Sequence, residues 1–181
     1  MKARIVYIFL IVTLLISGCT QPPVAQDQKN ISEKKTTEEF SAYSSELYTL
    51  EKPANWEVEE NQEFTYFKSP VDETNDLQEN VVVYVSSAEE PGKDLIDFLQ
   101  DSIEVLIETV PGFTIVEHRE DKLGDVPAYR IIYTEDSKLK YLQVFAIKDK
   151  NTYILTYTAP AETFDKYLPE AEKIISSYRI R

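Results

Sequence analysis

The chain opens with an apolar run that differs from everything after it. Residues 5–16 (IVYIFLIVTLLI) are almost wholly apolar, and the basic residues Lys2 and Arg4 lie just before them. Its length fits the hydrophobic part of a signal peptide, about 7–15 residues, and falls short of the roughly 18 residues that a membrane-spanning helix needs. The pattern therefore predicts a signal peptide over residues 1–18.

Small residues precede a cysteine at the end of this run, in a segment that resembles a lipobox, Ile16-Ser17-Gly18-Cys19. Cys19 is the only cysteine, so no intrachain disulfide can form. We expect lipidation of Cys19, and several acyl chains would make the attachment durable because each buried methylene contributes about 0.8 kcal/mol. The prediction is a lipid anchor that holds the protein on the extracytoplasmic face of the cell membrane. The alternative is a plain signal peptide.

The next segment has no hydrophobic periodicity. Residues 20–42 are rich in Gln, Lys, Glu, Thr and Pro, a composition that buries too little surface to offset the entropy of ordering. Residues 19–42 are therefore predicted to be the lipidated cysteine and a disordered tether. The tripeptide Asn30-Ile31-Ser32 matches a glycosylation acceptor, a pattern that is also common by chance.

A folded domain is predicted over residues 43–181. Short extended segments at 48–50 and 56–58 flank a proline, a strand around 64–67 ends at Pro70, and 80–86 (NVVVYVS) is typical of a buried central strand. After Asp94, apolar residues recur at three- and four-residue spacing, which predicts an amphipathic helix capped by Asp94 and ended by Pro111-Gly112.

Four strands and a second helix complete the pattern. The strands are predicted at residues 113–119, 126–134, 139–148 and 152–158. Along 138–148 apolar residues occupy both alternating faces, and the short turns require antiparallel pairing. The last helix is expected to begin near Pro160, with Pro169 kinking it or delaying its start. Two amphipathic helices that each cover a sheet face give an α+β sandwich with a mostly antiparallel sheet.

The net charge of the chain limits the kinds of molecule that it can bind. The chain has 19 basic and 32 acidic residues and a net charge of −13. Such an excess opposes binding to nucleic acid and to anionic lipid headgroups, and it favours a basic protein partner or a cation. The simplest interpretation of the charge is solubility on a crowded surface.

Residues for catalysis are scarce. His118 is the only histidine, so no multi-histidine metal site is possible. No serine has a Gly-x-Ser-x-Gly context and no glycine-rich phosphate loop is present. We therefore expect a protein that is not an enzyme and has no catalytic residues.

The acidic loop 71–80 is the candidate cation site. Asp72, Asp76 and Asn80, with Thr74 and Gln78 between them, place oxygen atoms at alternate positions, as in a calcium loop. The pattern departs from such a loop in having Leu77 at the glycine position and Val83 at the twelfth. The loop is thus either a calcium or manganese site or an ordinary exposed loop, and no other cofactor is expected.

Tyrosine is abundant, with 12 in the chain. Five lie on predicted strands: Tyr129, Tyr133, Tyr141, Tyr153 and Tyr157. They predict either core packing with hydroxyls at the rim or an aromatic groove for a peptide, glycan or apolar ligand. The single tryptophan, Trp56, is expected to anchor the core.

The order of these segments resembles the PsbP-like domain family, including its prokaryotic and archaeal lipoproteins. The segments that carry the resemblance are Tyr48-Thr-Leu-Glu-Lys-Pro53-Ala-Asn-Trp56, Phe67-Lys-Ser-Pro70, the strand from Asn80, Leu123-Gly-Asp-Val-Pro127-Ala-Tyr129, Tyr153-Ile-Leu-Thr-Tyr157 and Ile174-Ile-Ser-Ser-Tyr178. The resemblance implies an α/β/α sandwich over about residues 43–180. Plant members are accessory proteins of the oxygen-evolving photosystem. That role is not carried over, because the basic N-terminal region of the plant protein has no counterpart here, and a fold alone does not assign chemistry.

Together these features predict a lipid-anchored, extracytoplasmic, non-catalytic binding or accessory module with a protein partner. The alternative is a lipoprotein that binds a solute or a metal ion.

Overall fold

The computed structural model describes residues 39–71, 77–87 and 94–181. The predictions for the signal peptide, Cys19 and Asn30 lie outside these residues, as do Asp72 and Asp76. Within the described ranges no helix combines the length and the apolar character that crossing a bilayer requires.

Ten strands and two helices form in the described part of the chain. The helices are α1 (Leu95–Thr109) and α2 (Phe164–Ser177). The strands are β1 (Phe40–Ser44), β2 (Tyr48–Pro53), β3 (Glu57–Glu60), β4 (Phe64–Lys68), β5 (Asn80–Ser87), β6 (Thr114–Leu123), β7 (Val126–Glu135), β8 (Leu139–Lys148), β9 (Asn151–Pro160) and β10 (Arg179–Ile180).

The strands form two antiparallel sheets. A large sheet has the order β3-β4-β5-β9-β8-β7-β6, and a small sheet has the order β1-β2-β10. Strands β6 to β9 follow one another as the predicted meander, joined by short turns. The small sheet was not predicted as a separate unit, because β10 reaches β2 only through the tertiary fold, where Arg179 pairs with Thr49.

The helices lie on opposite faces of the large sheet. On one face, Leu99 and Leu106 of α1 pack against a buried cluster that includes Phe145 of β8. On the other face, α2 and the small sheet share a core that includes Val144 of β8 and Ile174 of α2. The alternation predicted for 138–148 is therefore confirmed, and the fold is the expected α/β/α sandwich of the α+β class.

The first helix begins as predicted. The Asp94 side chain accepts a hydrogen bond from the Asp97 backbone N–H over 2.8 Å, which satisfies one of the free donors of the first turn. Helix α1 ends at Thr109, just before Pro111.

Two predicted boundaries are wrong. The last helix does not begin near Pro160, because β9 continues to Pro160, which pairs with Leu139, and α2 begins at Phe164 with Pro169 inside it. The segment assigned to the tether also ends too late. Phe40 already pairs with Pro53, so β1 takes in residues 40–42.

Candidate functional site

Of the predicted cation ligands Asp72, Asp76 and Asn80, only Asn80 lies in the described residues. Asn80 is the first residue of β5, and its Nδ2 donates to the Gln78 carbonyl oxygen over 3.1 Å. Val83, at the twelfth loop position, is buried in the sheet. Among the described residues, no three His, Cys, Asp or Glu side chains are grouped closely enough to hold a metal ion. Both alternatives for the loop, a cation site at Asp72, Asp76 and Asn80 or an ordinary exposed loop, therefore stay open.

A buried carboxylate stands beside that loop. Glu79 is only 1 % exposed. It accepts hydrogen bonds from the Ser69 hydroxyl over 3.0 Å and from the Thr163 hydroxyl over 2.8 Å. Glu79 thus joins the end of β4 to the residue that precedes α2, where the helix N-terminus favours a negative charge. Sequence reasoning missed it because one glutamate in an acidic segment gives no signal.

The single histidine does not belong to a catalytic group in the described residues. Nδ1 of His118 lies 2.9 Å from the Tyr129 hydroxyl, and both residues project from the β6–β7 pair. The neighbouring Arg119 pairs with Glu117 over 3.1 Å. This arrangement is that of a surface histidine among charged residues.

The strand tyrosines divide between the two faces of the large sheet. Tyr133 and Tyr141 stack on the α1 side with ring centroids 4.7 Å apart. Tyr153 and Tyr157 belong to the core on the α2 side. Burial raises the pKa of the Tyr133, Tyr141 and Tyr157 phenols well above the usual 10.0. Tyr129 is partly buried on the α1 side. Because the strand tyrosines are split between two faces, they pack against two separate cores and do not line one groove. Trp56 is likewise buried, as predicted.

The candidate site is a cleft between the small sheet and the C-terminal end of α2. It has a volume of about 410 Å³. Its lining residues come from β1, β2, α2 and β10: Ala42, Thr49, Leu50, Glu51, Lys173, Ser176, Ser177 and Arg179. A cleft of this size falls within the range of ligand sites in proteins, roughly 300–1,000 Å³.

Strand pairing sets the sheet side of the cleft. Tyr48 and Leu50 of β2 are buried, so the alternation of a strand points Thr49 and Glu51 away from the core. Their partners, Arg179 and Ala42, share this outer face, because directly paired residues lie on the same side of a sheet.

Helix α2 is fastened to the sheet at the cleft. The Ser177 hydroxyl accepts from the Glu51 backbone N–H over 2.8 Å, and it lies 2.9 Å from the Ile174 carbonyl oxygen, to which it can donate. Lys173 Nζ lies 2.6 Å from Glu51 Oε2. Since both of these charged side chains are about half exposed, the ion pair contributes at most about 1 kcal/mol. These contacts hold the wall of the cleft in place.

The opposite end of the cleft carries positive charge. Nη1 of Arg179 donates to the carbonyl oxygens of Ser176, over 2.8 Å, and Tyr178, over 2.7 Å. Within the described residues, Nε and Nη2 of Arg179 make no hydrogen bond. The cleft therefore offers a guanidinium edge and hydroxyl groups that can hydrogen-bond to a ligand.

Asn80, the predicted site residue that lies in the described part of the chain, does not line this cleft. The residues that line the cleft come from two stretches, 42–51 and 173–179, which are more than a hundred positions apart along the chain. The two stretches meet where α2 and β10 pack beside β2. One feature of the sequence could have pointed to the cleft. The amphipathic pattern of the second helix places Lys173 and Ser176 on its polar side.

The fold recurs in proteins of distant sequence. Cyanobacterial PsbP from Synechocystis sp. PCC 6803 is 11 % identical, with a TM-score of 0.60 over 84 % of this chain and 98 % of that one. LpqN of Mycobacterium tuberculosis, a protein involved in cell envelope biogenesis, is 14 % identical, with a TM-score of 0.55 over 81 % and 93 %. A Pseudomonas aeruginosa protein of unknown function is 20 % identical, with a TM-score of 0.54 over 72 % and 89 %.

No curated protein sequence matches the chain. The sequence profile of the family described as PsbP-like protein matches residues 3–180, nearly the whole length. The resemblance seen in the sequence is thereby confirmed, and the chain belongs to the PsbP-like protein family.

Proposed function

We propose that the protein is a lipid-anchored, non-catalytic binding or accessory module that acts on the extracytoplasmic face of the cell membrane and receives a protein partner at the cleft. The observation that carries the proposal is the position of the cleft. Its wall includes Ala42 of β1, the first described strand, so the cleft adjoins the place where the predicted tether enters the domain.

The tether gives the cleft a limited reach. Glu39 lies 20 positions after Cys19, and a flexible chain of that length would have a root-mean-square end-to-end distance of about 25 Å. Its fully extended length is about 70 Å. An anchored domain would therefore present the cleft to partners at or near the membrane surface.

The chemistry of the described residues supports binding over catalysis. The Ser177 hydroxyl is engaged with backbone groups, and the ammonium of Lys173 is paired with Glu51. His118 lies on β6 and does not line the cleft. Nucleophilic catalysis needs a nucleophile next to a base, and the cleft offers no such pair among its lining residues.

Two experiments test the proposal. Cys19→Ser should move the protein from the membrane fraction to the soluble fraction, and retention of the variant in membranes would contradict the anchor. Crosslinking of the natively anchored protein, followed by purification and mass spectrometry, should recover one partner in stoichiometric amount. A protein recovered alone, together with a ligand-dependent rise in its melting temperature, would favour the solute- or metal-binding alternative.

A further inference from the structure

We propose that the Arg179 end of the cleft binds a phosphate group. The inference goes beyond the proposed protein partner, because it gives one end of the same cleft a ligand of defined chemistry. It starts from two guanidinium groups that the end of the chain places on one side of the small sheet.

Arg179 and Arg181 are two positions apart along an extended segment. Residues at that spacing project from the same face of a sheet, and Ile180 between them pairs with the buried Tyr48. The Arg181 backbone N–H continues the pairing by donating to the Leu47 carbonyl oxygen over 3.0 Å. Both arginine side chains therefore lie on the outer face of the small sheet.

Hydroxyl groups stand between the two arginines. Thr49 pairs with Arg179 on one side and with Ser44 on the other, so the three side chains share the outer face. Arg181 reaches across to this row, where Nη2 donates to the Ser44 hydroxyl over 2.6 Å. The Thr49 hydroxyl lines the cleft and makes no hydrogen bond within the described ranges. Ser176 adds a hydroxyl from the end of α2.

This donor set fits a phosphate group. A guanidinium presents its N–H groups as a planar fork that matches phosphate oxygens, and charged hydrogen bonds of this kind are stronger than neutral ones. Nη1 of Arg179 is held by two carbonyl oxygens, which orients the guanidinium and leaves Nε and Nη2 for a ligand. Arg181 does not line the cleft, and its Nη1 and Nη2 already donate to the Ser45 carbonyl oxygen and the Ser44 hydroxyl, so it adds positive charge beside the cleft. The donors for a ligand are Nε and Nη2 of Arg179 and the Thr49 hydroxyl, which come from separate strands and suit a tetrahedral group better than a flat carboxylate.

The local charge at the cleft also differs from that of the whole chain. The chain as a whole carries a net charge of −13, which repels anions at long range. The cleft is a local exception, because its one carboxylate, Glu51, is paired with Lys173, and Arg179 makes no ion pair within the described residues. The phosphate could belong to a soluble phosphoryl compound or to the headgroup of a membrane lipid.

The test uses the full chain in a nonionic detergent, observed through amide chemical shifts while a probe is added. One arm adds inorganic phosphate and the other adds phosphatidylglycerol to the micelles. Arg179→Gln removes the central guanidinium, and Thr49→Val removes a hydroxyl with little change in shape. Arg119→Gln is the matched control, because it removes the same charge from an exposed arginine on β6.

We expect saturable shifts at Thr49, Ser176 and Arg179, with affinity reduced about tenfold or more by Arg179→Gln and by less than about twofold in the control. Thr49→Val should weaken binding without changing the melting temperature. Shifts in both arms would show that the phosphate group suffices, and shifts with the lipid alone would identify a headgroup site.

Two results would overturn the proposal: no saturable shift in either arm, or equal losses in Arg179→Gln and Arg119→Gln. If crosslinking still recovered a stoichiometric partner at the cleft, the binding module would stand and only the phosphate site would be rejected.

Discussion

The Thr163 hydroxyl donates a hydrogen bond to Oε1 of Glu79 over 2.8 Å, between residues that are 84 positions apart in the sequence. Thr163 occupies the N-cap position of α2 but makes no side-chain bond to the helix itself. The negative charge of Glu79 therefore stands near the positive end of the helix and compensates for the missing cap.

We expect Glu79→Gln to lower the free energy of unfolding by about 1–3 kcal/mol, because two hydrogen bonds to a buried charge become weaker. Urea denaturation of the variant and of the wild-type protein measures the change. Glu120→Gln, at an exposed glutamate of β6, is the matched control and should change stability by less than about 0.5 kcal/mol. Equal effects of the two substitutions would contradict the structural role given to Glu79.

Two fully buried tyrosines should respond differently to loss of the hydroxyl. The Tyr157 hydroxyl donates to the Phe164 carbonyl oxygen over 2.9 Å, whereas the Tyr178 hydroxyl is buried without a hydrogen-bond partner among the described residues. Tyr157→Phe should cost about 1 kcal/mol, and Tyr178→Phe should be neutral or stabilising. Thermal or urea unfolding of the pair provides the comparison. A larger loss in Tyr178→Phe than in Tyr157→Phe would refute this account of the core.

Alkaline pH should destabilise the protein through its buried tyrosines. Burial raises the pKa of the Tyr133, Tyr157 and Tyr178 phenols above the usual 10.0 of the unfolded chain. Above that pH the unfolded state binds fewer protons than the folded state, so the free energy of unfolding falls as pH rises. The stability that the buried, protonated phenols contribute is fully present below pH 10, and it is lost as the pH rises toward the pKa values of these phenols in the folded protein.

Urea midpoints at about pH 8 and about pH 11 measure this loss. Tyr178→Phe removes one of the phenols, so the variant should lose less stability between the two pH values than the wild-type protein. A wild-type midpoint that did not change between them would be inconsistent with buried, protonated tyrosines.

Calcium should have little effect on stability. Val83 occupies the position at which a calcium loop supplies its bidentate glutamate, and this valine is 2 % exposed within β5. We therefore expect the melting temperature to be the same with calcium, with manganese and with a chelator. A rise in the wild-type protein that is lost in the double variant Asp72→Asn, Asp76→Asn would instead establish the cation site and favour the solute- or metal-binding alternative.

Local patterns accounted for most of the fold. The alternation along β8 and the three- and four-residue spacing in α1 depend only on which side chains face the core, and both were visible in the sequence. β10 was not visible, since it has two residues and is stabilised by pairing with the distant β2. β1 was not visible either, because residues 40–42 continue a polar segment without hydrophobic periodicity. The last helix was placed too early because Pro160 suits a first helical turn, yet its pairing with Leu139 keeps it in the sheet.

The cleft could not be predicted for a similar reason. Thr49 and Arg179 become neighbours only through the register of β2 and β10, and neither residue belongs to a recognisable motif. The net charge of the chain did not reveal the site either, because a value of −13 gives no indication that two arginines share one face.

The most direct test of the central claim places a photocrosslinking amino acid in the cleft of the natively anchored protein. Ala42 is exposed and lines the cleft, and Glu104 is an exposed control position on α1, on the opposite face of the large sheet. We predict that irradiation in intact membranes joins one defined partner to the protein labelled at position 42 and not to the protein labelled at position 104. The same products from both positions, or none from position 42, would contradict a binding module that uses this cleft.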